Sequence, residues 1–440
     1  MNDDLNQTVA FRTALKRELP AWIRQELVTE ENAQRLTALY QLDRLGGESS
    51  RLLAAVMFTI GGLLLGGGAI SFVAANWEAI PVAAKVVLLF VTLIAFHATG
   101  WWLWHQRGWT RLGHALVFSG CLVFGANIGL MAQIFHVSGE WYGAFGAWAL
   151  GSLVMAWAAQ SWITGVLVII TSFVWFSGFT FEQRPTLLLF YPVVLAATLI
   201  PLAWRVQSRV LNTLTLFGVT ASLCVLAGEY GKPGRDVLLA LTAGGLLAWA
   251  AGEAHRVTGF KKELGNAAAG AGLVTLAFAA HIWSFHWMWK LAEWRENYSL
   301  RWLFPTAVIL LAGVGLLATS WQQLTANPAR RWPVIGTLAA TLLLFGGALL
   351  SRSGQFLPTL TTNVAALIIA AVAIGIGVID ERRIAFWAGA LYLVLLIVSR
   401  FMEYETSLLL KSAAFIVCGA VVMFAGVAYE RFLHRKEQTQ

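Results

Sequence analysis

The sequence predicts an all-α protein, a polytopic transmembrane helix bundle of about 14 spans, with both termini in the cytosol and a short N-terminal helical hairpin. Hydrophobic residues make up 58% and charged residues 12% of the 440-residue chain, and the mean hydropathy is +0.67. The apolar residues form runs of about 20, the length that crosses a bilayer as a helix. Basic residues gather in alternate loops between these runs, a pattern typical of membrane topology.

Composition excludes two broad classes of protein. A soluble protein has about 25% charged residues, and half that charge cannot cover a water-soluble surface. Disorder requires low hydrophobicity and high charge. The net charge of +8 lies in short loops, so we expect no nucleic-acid partner. Cys121, Cys224 and Cys418 lie inside apolar runs, so neither a disulfide framework nor a metal cluster is expected, and no cofactor is predicted.

Residues 1–51 form the predicted cytosolic head. Pro20 is suited to the first turn of a helix that carries Trp22. Thr29 is a favourable N-cap for a second helix, because acidic residues follow it in the first turn. The two helices predict a hairpin that ends near Gly46. This hairpin is either a packing element beside the membrane or a docking site for a protein partner.

Fourteen apolar runs follow the head, and two polar residues, Gln160 and Ser161, separate the fourth run from the fifth. Their predicted bounds are 52–75, 82–104, 112–135, 142–159, 161–181, 186–204, 209–228, 236–254, 264–288, 302–321, 332–350, 359–379, 384–400 and 408–429. These runs make up a predicted bundle over 52–429, followed by a cytosolic tail at 430–440. More than two thirds of the 31 Lys and Arg residues fall in the segments predicted inside, which supports this topology.

Glycine pairs at GxxxG spacing occur in the first and third runs. Gly62 and Gly66 form one pair, and Gly125 and Gly129 form the other. Small residues at this spacing allow helices to approach closely in lipid, so the pairs predict tight helix packing.

Polar residues at membrane depth are the candidate substrate-binding residues, because each is costly unless it faces a cavity or a partner. In the predicted topology most of them lie in the outer half of the membrane. The set is Asn76, Glu78, Lys85, Asn127, Gln133, His136, Glu140, His281, His286, Asn363 and Lys411. If these side chains converge, they form a polar cavity that opens outward. Such a cavity would suit a zwitterionic or anionic headgroup, a polar solute or a proton-coupled site.

Ordinary structural roles are the alternative for the same residues. Gln133, His136 and Glu140 have the i, i+3, i+7 spacing of one helical face, provided that the helix continues. Interfacial side chains extend toward the headgroups, and Glu78 has a potential partner in Lys85. The turn at 380–383 is interpreted as a topology anchor. No catalytic or zinc-binding sequence motif is present, so no catalytic residue is predicted.

The first three runs resemble a known family. The features are the helical head PAWIRQELVTEENAQRL, a glycine-rich first span that leads into NWEAIP, and the stretch GCLVFGANIGLMAQIFHVSGEWYGAFGAWALG. Over about residues 10–200 the chain resembles the DUF2157 (domain of unknown function) family of bacterial polytopic membrane proteins. We therefore take 52–204 as a family-like part of the bundle and 205–429 as further spans. The resemblance implies the bacterial cytoplasmic (inner) membrane and no particular reaction. It also marks family-motif positions: Asn76, Trp77, Pro81, Asn127, Gln133, His136 and Gly139.

Three functions remain open at this point. The first is a transporter or lipid-linked flippase with an outward-facing polar cavity. The second is a non-catalytic membrane scaffold or sensor that uses residues 1–51 to contact a cytosolic or membrane protein. The third is an intramembrane enzyme that acts on a lipid-linked substrate, with Glu78 or Glu140 as base. All three place the chain among membrane lipids.

Overall fold

The computed structural model describes residues 9–40, 77–183, 186–232, 234–259, 262–291, 300–351 and 354–403, with single positions between 416 and 431. Within these residues the protein is all-helical and has no β-strand, which confirms the all-α part of the predicted fold class, and the orientation stays a prediction. The chain forms two compact units, Met1–Val87 and Leu88–Gln440.

The first unit contains the predicted helical hairpin. Its helices are α1 (Val9–Arg24) and α2 (Glu30–Leu39). Leu15 and Leu19 on α1 are buried in a small apolar core with Ala33 on α2. The Thr29 hydroxyl accepts a hydrogen bond from the backbone N–H of Asn32 at 3.4 Å, so the predicted N-cap is confirmed.

The prediction that Pro20 begins a helix is wrong. Helix α1 begins at Val9, and Pro20 lies well inside it. Proline lacks an N–H, so a carbonyl in the preceding turn loses its helical partner. Burial of Leu15 and Leu19 against α2 supports the helix on the N-terminal side of the proline.

Twelve longer helices and one short helix follow in the described part of the chain. They are α3 (Val82–His105), α4 (Thr110–Ile134), α5 (Trp141–Ala158), α6 (Trp162–Gln183), α7 (Tyr191–Arg205), α8 (Arg209–Tyr230), α9 (Arg235–Thr258), α10 (Lys262–Trp283), α11 (His286–Leu291), α12 (Leu303–Ala326), α13 (Pro328–Leu350), α14 (Phe356–Ile379) and α15 (Arg383–Glu403). Short 3-10 helices at Thr186–Phe190 and Leu300–Trp302 precede α7 and α12.

Eleven helices in the described residues are long and apolar enough to cross a membrane. Helix α5 has 18 residues and is not among these eleven. The predicted span 52–75 lies outside the described residues, as does most of the span 408–429. The structure therefore supports a multi-pass helical membrane protein, and the count of fourteen stays a prediction.

The predicted break between the fourth and fifth runs is confirmed. Gln160 has a left-handed backbone with φ of 47°. The N–H of Ser161 bonds to the carbonyl of Ala156 at 3.1 Å, which ends α5 before α6 begins at Trp162.

The predicted run 264–288 is wrong at its C-terminal end, because α10 ends at Trp283. The carbonyl of Ser284 accepts hydrogen bonds from the side chains of Asn363 and Arg400 instead of continuing a helix. These two residues lie far away in the sequence, so the apolar run gave no sign of the break.

Helix α9 lies at the centre of the second unit. It packs against α8, α10, α12 and α13, and 78% of an 18-residue apolar stretch within it is buried. Two adjacent apolar clusters place Leu246, Trp249 and Ala250 of α9 against α10, α12 and α13, and Leu238 against α10 and α13. The polar groups at both ends of α10, α13, α14 and α15 are positioned by this packing.

Candidate functional site

A buried ionic network lies where five helices end or begin. It joins the last turns of α9, the start of α13 and the turn between α14 and α15, and it reaches the start of α10. The charge distribution of the sequence predicts that this end of the bundle faces the cytosol. We call the group Glu253, Arg256, Arg330, Asp380 and Arg382 the inner network.

Arg256 holds the inner network together. Its Nη1 lies 2.5 Å from Oε1 of Glu253, and its Nη2 lies 2.7 Å from Oδ2 of Asp380. Asp380 also pairs with Arg330 through its other oxygen. The side chains of Arg256, Glu253 and Asp380 are 8%, 6% and 10% exposed, so both carboxylates are neutralised away from bulk water.

The second carboxylate oxygen of Glu253 is held less closely by positive charge than the first. Oε2 lies 3.9 Å from Nη1 of Arg330, which is an ion pair at the limit of contact. Beside it is a cavity of about 20 Å³ lined by charged network residues and by apolar side chains, including Trp249, Val334 and Ile376. A cavity needs roughly 10–15 Å³ to hold one water molecule, so this one has room for a single water.

Arg382 extends the inner network to α10. Its Nη2 donates to Oδ1 of Asn266 at 2.6 Å, and its Nε lies 3.9 Å from Asp380. Burial lowers the pKa of Arg382 from its ordinary value, and the positive charge of Arg256 lowers the pKa further, whereas Asp380 raises it. A guanidinium stays protonated in proteins, so this residue contributes a third fixed positive charge.

A tight turn presents Asp380 and Arg382 at the end of α14. The N–H of Asp380 bonds to Ile376 at 2.9 Å, and the N–H of Arg382 bonds to the carbonyl of Gly377 at 2.9 Å. Glu381 between them has a φ of 56°. This closure of the helix end turns both side chains back toward α9 and α10.

A second polar group lies at the opposite ends of α14 and α15, and we call it the outer cluster. The carbonyl of Ser284 accepts from Nδ2 of Asn363 at 3.0 Å and from Nη1 of Arg400 at 2.8 Å. Arg400 also pairs with Glu403, and Oε1 of Glu403 accepts the backbone N–H of His286 at 2.6 Å. The break after α10 is therefore fixed by residues of α14 and α15.

His281 lies one turn before this break. Its ring contacts Phe285 edge-on at 5.4 Å between centroids and lies 6.1 Å from the ring of Tyr392. Nδ1 of His281 and Nε of Arg400 are buried and have no hydrogen-bond partner among the described residues. The guanidinium of Arg400 lies 4.4 Å from the centroid of Phe285.

The structure brings only some of the predicted site residues together. Asn363 and the backbone of His286 belong to the outer cluster, and His281 adjoins it. Asn127, Gln133, His136 and Glu140 lie on α4 and the segment after it, which has no extensive contact with α10, α14 or α15 within the described residues. Glu78 and Lys85 belong to the first unit. Asn76 and Lys411 lie outside the described residues.

Around α4 the predicted residues do not share one helical face. Asn127 is buried and donates to the carbonyl of Leu89 at 2.9 Å, a helix-packing contact. Helix α4 ends at Ile134, so the face expected for Gln133, His136 and Glu140 does not form. All three are exposed, and His136 has a left-handed φ of 52°.

In the first unit, Lys85 finds an aromatic neighbour. Its Nζ lies 5.1 Å from the centroid of the Trp77 ring, a cation–π distance. Glu78 is exposed, and no ion pair with Lys85 occurs in the described part of this unit.

Comparison with known proteins identifies the N-terminal third of the chain. Residues 20–165 match the family model Predicted membrane protein (DUF2157). This match confirms the resemblance predicted from the sequence, and it supports a multi-pass membrane protein of unknown function. No curated protein and no solved structure matches the chain. The DUF2157 segment ends before α9, so the inner network and the outer cluster both lie beyond it.

Sequence reasoning missed the inner network as a candidate site. The turn at 380–383 is interpreted from the sequence as a topology anchor, and Glu253 is not among the predicted site residues. One local signal was available, because Glu253 and Arg256 have the i, i+3 spacing of a helical ion pair. The pairing of Arg256 with Asp380 joins residues 124 positions apart, and spacing cannot predict it.

Proposed function

We propose that the chain is a multi-pass membrane transporter, or a flippase for a lipid-linked substrate, in which the inner network closes the predicted cytosolic end of the bundle. The observation that carries this proposal is the burial of Glu253, Arg256 and Asp380 between three separate helix ends. Membrane location is supported independently by the apolar helices and the DUF2157 match.

A buried ion pair is a poor device for stability alone. The cost of removing two charges from water often exceeds their attraction, and apolar residues of similar size often do as well or better. Charged side chains at the ends of membrane helices therefore favour a role beyond packing. Here the pairs of Arg256 and Arg330 with Asp380 link α9 and α13 to the turn between α14 and α15, elements that a transport cycle would separate.

The position of the outer cluster supports the same proposal. Asn363 and Asp380 lie on opposite ends of α14, about 25 Å apart at helical rise. Helix α15 likewise connects the inner network to Arg400. Alternating access needs contacts that close each end of the substrate path in turn, and one helix pair bears polar contacts at both ends.

The test compares two neighbouring arginines on α13. Arg330 pairs with Asp380, whereas Arg331 is exposed and donates to the carbonyl of Thr325 at 2.6 Å. Val334→Cys, introduced into a chain without the native cysteines, places a thiol in the lining of the cavity. The rate at which this thiol is labelled reports access to the cavity. We expect Arg330→Gln to raise roughly tenfold the rate at which a charged thiol reagent labels Val334→Cys in inside-out vesicles. The reason is that the buried Asp380 loses one of its partners.

Arg331→Gln removes the same charge outside the inner network and is the matched control. It should leave the Val334→Cys labelling rate unchanged. Equal labelling in the two variants would mean that the network does not close a path, and the transport proposal would lose its main support.

A second candidate function is a membrane scaffold that uses the α1–α2 hairpin. An open groove of about 460 Å³ lies along α2, and its apolar rim includes Leu27, Leu36 and Leu39. Leu27 and Leu39 are 69% and 56% exposed. Such a groove is suited to the apolar face of an amphipathic helix. A photo-crosslinker at Leu39 that captures only lipid in cells would exclude this function.

A further inference from the structure

The two carboxylates of the inner network differ in their hydrogen bonding. Both oxygens of Asp380 are held by guanidinium groups, one by Arg256 and the other by Arg330. Glu253 has only one oxygen so held, because Oε2 lies 3.9 Å from the closest guanidinium nitrogen. A proton on Oε2 of Glu253 would therefore displace no close hydrogen bond, whereas a proton on Asp380 would displace one.

We propose that Glu253 is a proton-binding site and that its protonation releases the inner network. The inference rests on the function proposed above and adds the ion to which opening is coupled. As the pH falls, Oε2 takes a proton from water and forms an O–H bond, and the carboxylate loses its negative charge. No other reactant is needed.

The charges around Glu253 favour release after protonation. Facing it are Arg256 on α9, Arg330 on α13, and Asp380 and Arg382 in the turn before α15. The three guanidinium groups then share only the carboxylate of Asp380. Less negative charge is left to offset the repulsion among the three positive charges. The ring of the neighbouring His255 packs edge-on against Trp204 at 5.5 Å.

A path for the proton is also present. The cavity of about 20 Å³ beside Glu253 has room for one water. Arg330 and Arg382 are 32% and 38% exposed, so the network extends from the buried carboxylate to the surface. Proton exchange with the predicted cytosolic side therefore needs no large rearrangement.

The test measures opening as a function of pH in the full chain. The labelling rate of Val334→Cys is divided by that of Ala329→Cys, an exposed position on the same helix, after each rate has been corrected for the fraction of thiolate at that pH. From about pH 8 to about pH 5 we expect this ratio to rise roughly tenfold. Glu253→Gln should give a high ratio that no longer depends on pH.

Three results would overturn the inference. The first is a ratio that does not change with pH in the otherwise unmodified network. The second is a wild-type pH response in Glu253→Gln. The third is a response abolished by Asp380→Asn and not by Glu253→Gln. Should Glu253→Gln fail to fold, infrared difference spectra of the wild-type and Glu253→Asp chains decide, because the carbonyl stretch of a carboxylic acid at this position must shift on that substitution.

The two proposals fail in different ways. If Arg330→Gln opens the path but pH does not, the proton site is wrong and closure by the network stands. If Arg330→Gln leaves access unchanged while infrared spectra show a protonated Glu253, the carboxylate binds a proton but does not control transport.

Discussion

Asp236 is the most completely buried acid in the described chain, with no exposed surface. It lies in the first turn of α9, where its carboxylate accepts the backbone N–H of Lys232 at 2.7 Å and Nε of Arg235 at 2.6 Å. An acidic group at a helix N-terminus also interacts favourably with the helix dipole. Both of these hydrogen bonds are accepted by its carboxylate, and the one from Arg235 is also an ion pair.

We predict that Asp236→Asn destabilises the protein by about 2–3 kcal/mol. The side chain of Arg235 is only 13% exposed, and the substitution removes its counter-charge. The measurement is the thermal unfolding of the purified protein in detergent. Glu140→Gln removes a charge from an exposed residue and should change the unfolding temperature little. A similar, small effect of both substitutions would show that the pair contributes nothing.

At the scale of residues, the sequence points to polar residues at membrane depth but does not identify the residues that they contact. Asn363 was expected to need a partner because it is a polar group at membrane depth, and its amide donates to the carbonyl of Ser284. His286 takes part in the same cluster through its backbone N–H. Arg400, which contacts the same turn, is not among the predicted site residues. Its contact with Ser284 spans 116 positions, and no periodicity links them.

The closest helix approach described here is between α9 and α10, and it depends on glycine. A Cβ added at Gly272 would lie 2.3 Å from the backbone nitrogen of Trp249 and 2.7 Å from the carbonyl oxygen of Gly245. Two residues earlier, Gly270 has nothing within 4 Å of such a Cβ. The two glycines share a helix and differ only in what they face.

Gly272→Ala should therefore destabilise the bundle by about 1–3 kcal/mol through overpacking. Gly270→Ala should be neutral or stabilising by up to about 1 kcal/mol, since alanine is the better helix former. Unfolding of both variants in detergent, followed by tryptophan fluorescence, gives the comparison. Equal destabilisation would contradict close packing at Gly272.

At the scale of elements, apolar runs of span length predicted helices closely, because each run must bury its backbone polar groups in lipid. The errors occurred where the sequence offers only local cues. Pro20 suggested a helix start, and tertiary packing of α1 kept the helix continuous. Of the predicted pair on α4, a Cβ at Gly125 would meet Trp148 at 2.2 Å, whereas Gly129 faces nothing within 4 Å.

At the scale of the whole molecule, topology decides which environment each polar group faces. The predicted arrangement places Gln207 and Ala329 on the cytosolic side and Gln355 on the opposite side. A charged thiol reagent applied to intact spheroplasts should label Gln355→Cys and spare Gln207→Cys and Ala329→Cys. Inside-out vesicles should give the reverse pattern, and labelling of all three positions from one side would exclude the predicted topology.

The central position of α9 has a consequence for biosynthesis. The ribosome delivers α9 when only α8, among its main neighbours, has already been made, and α10, α12 and α13 emerge later. A charged residue at the centre of a membrane helix costs about 2.5–3.5 kcal/mol during insertion. Helix α9 carries Asp236, Glu253 and Arg256 toward its ends, where this cost is smaller. The cost remains until the partners of these residues have been inserted. Integration of this segment into the lipid therefore depends on helices that are still untranslated when it leaves the ribosome.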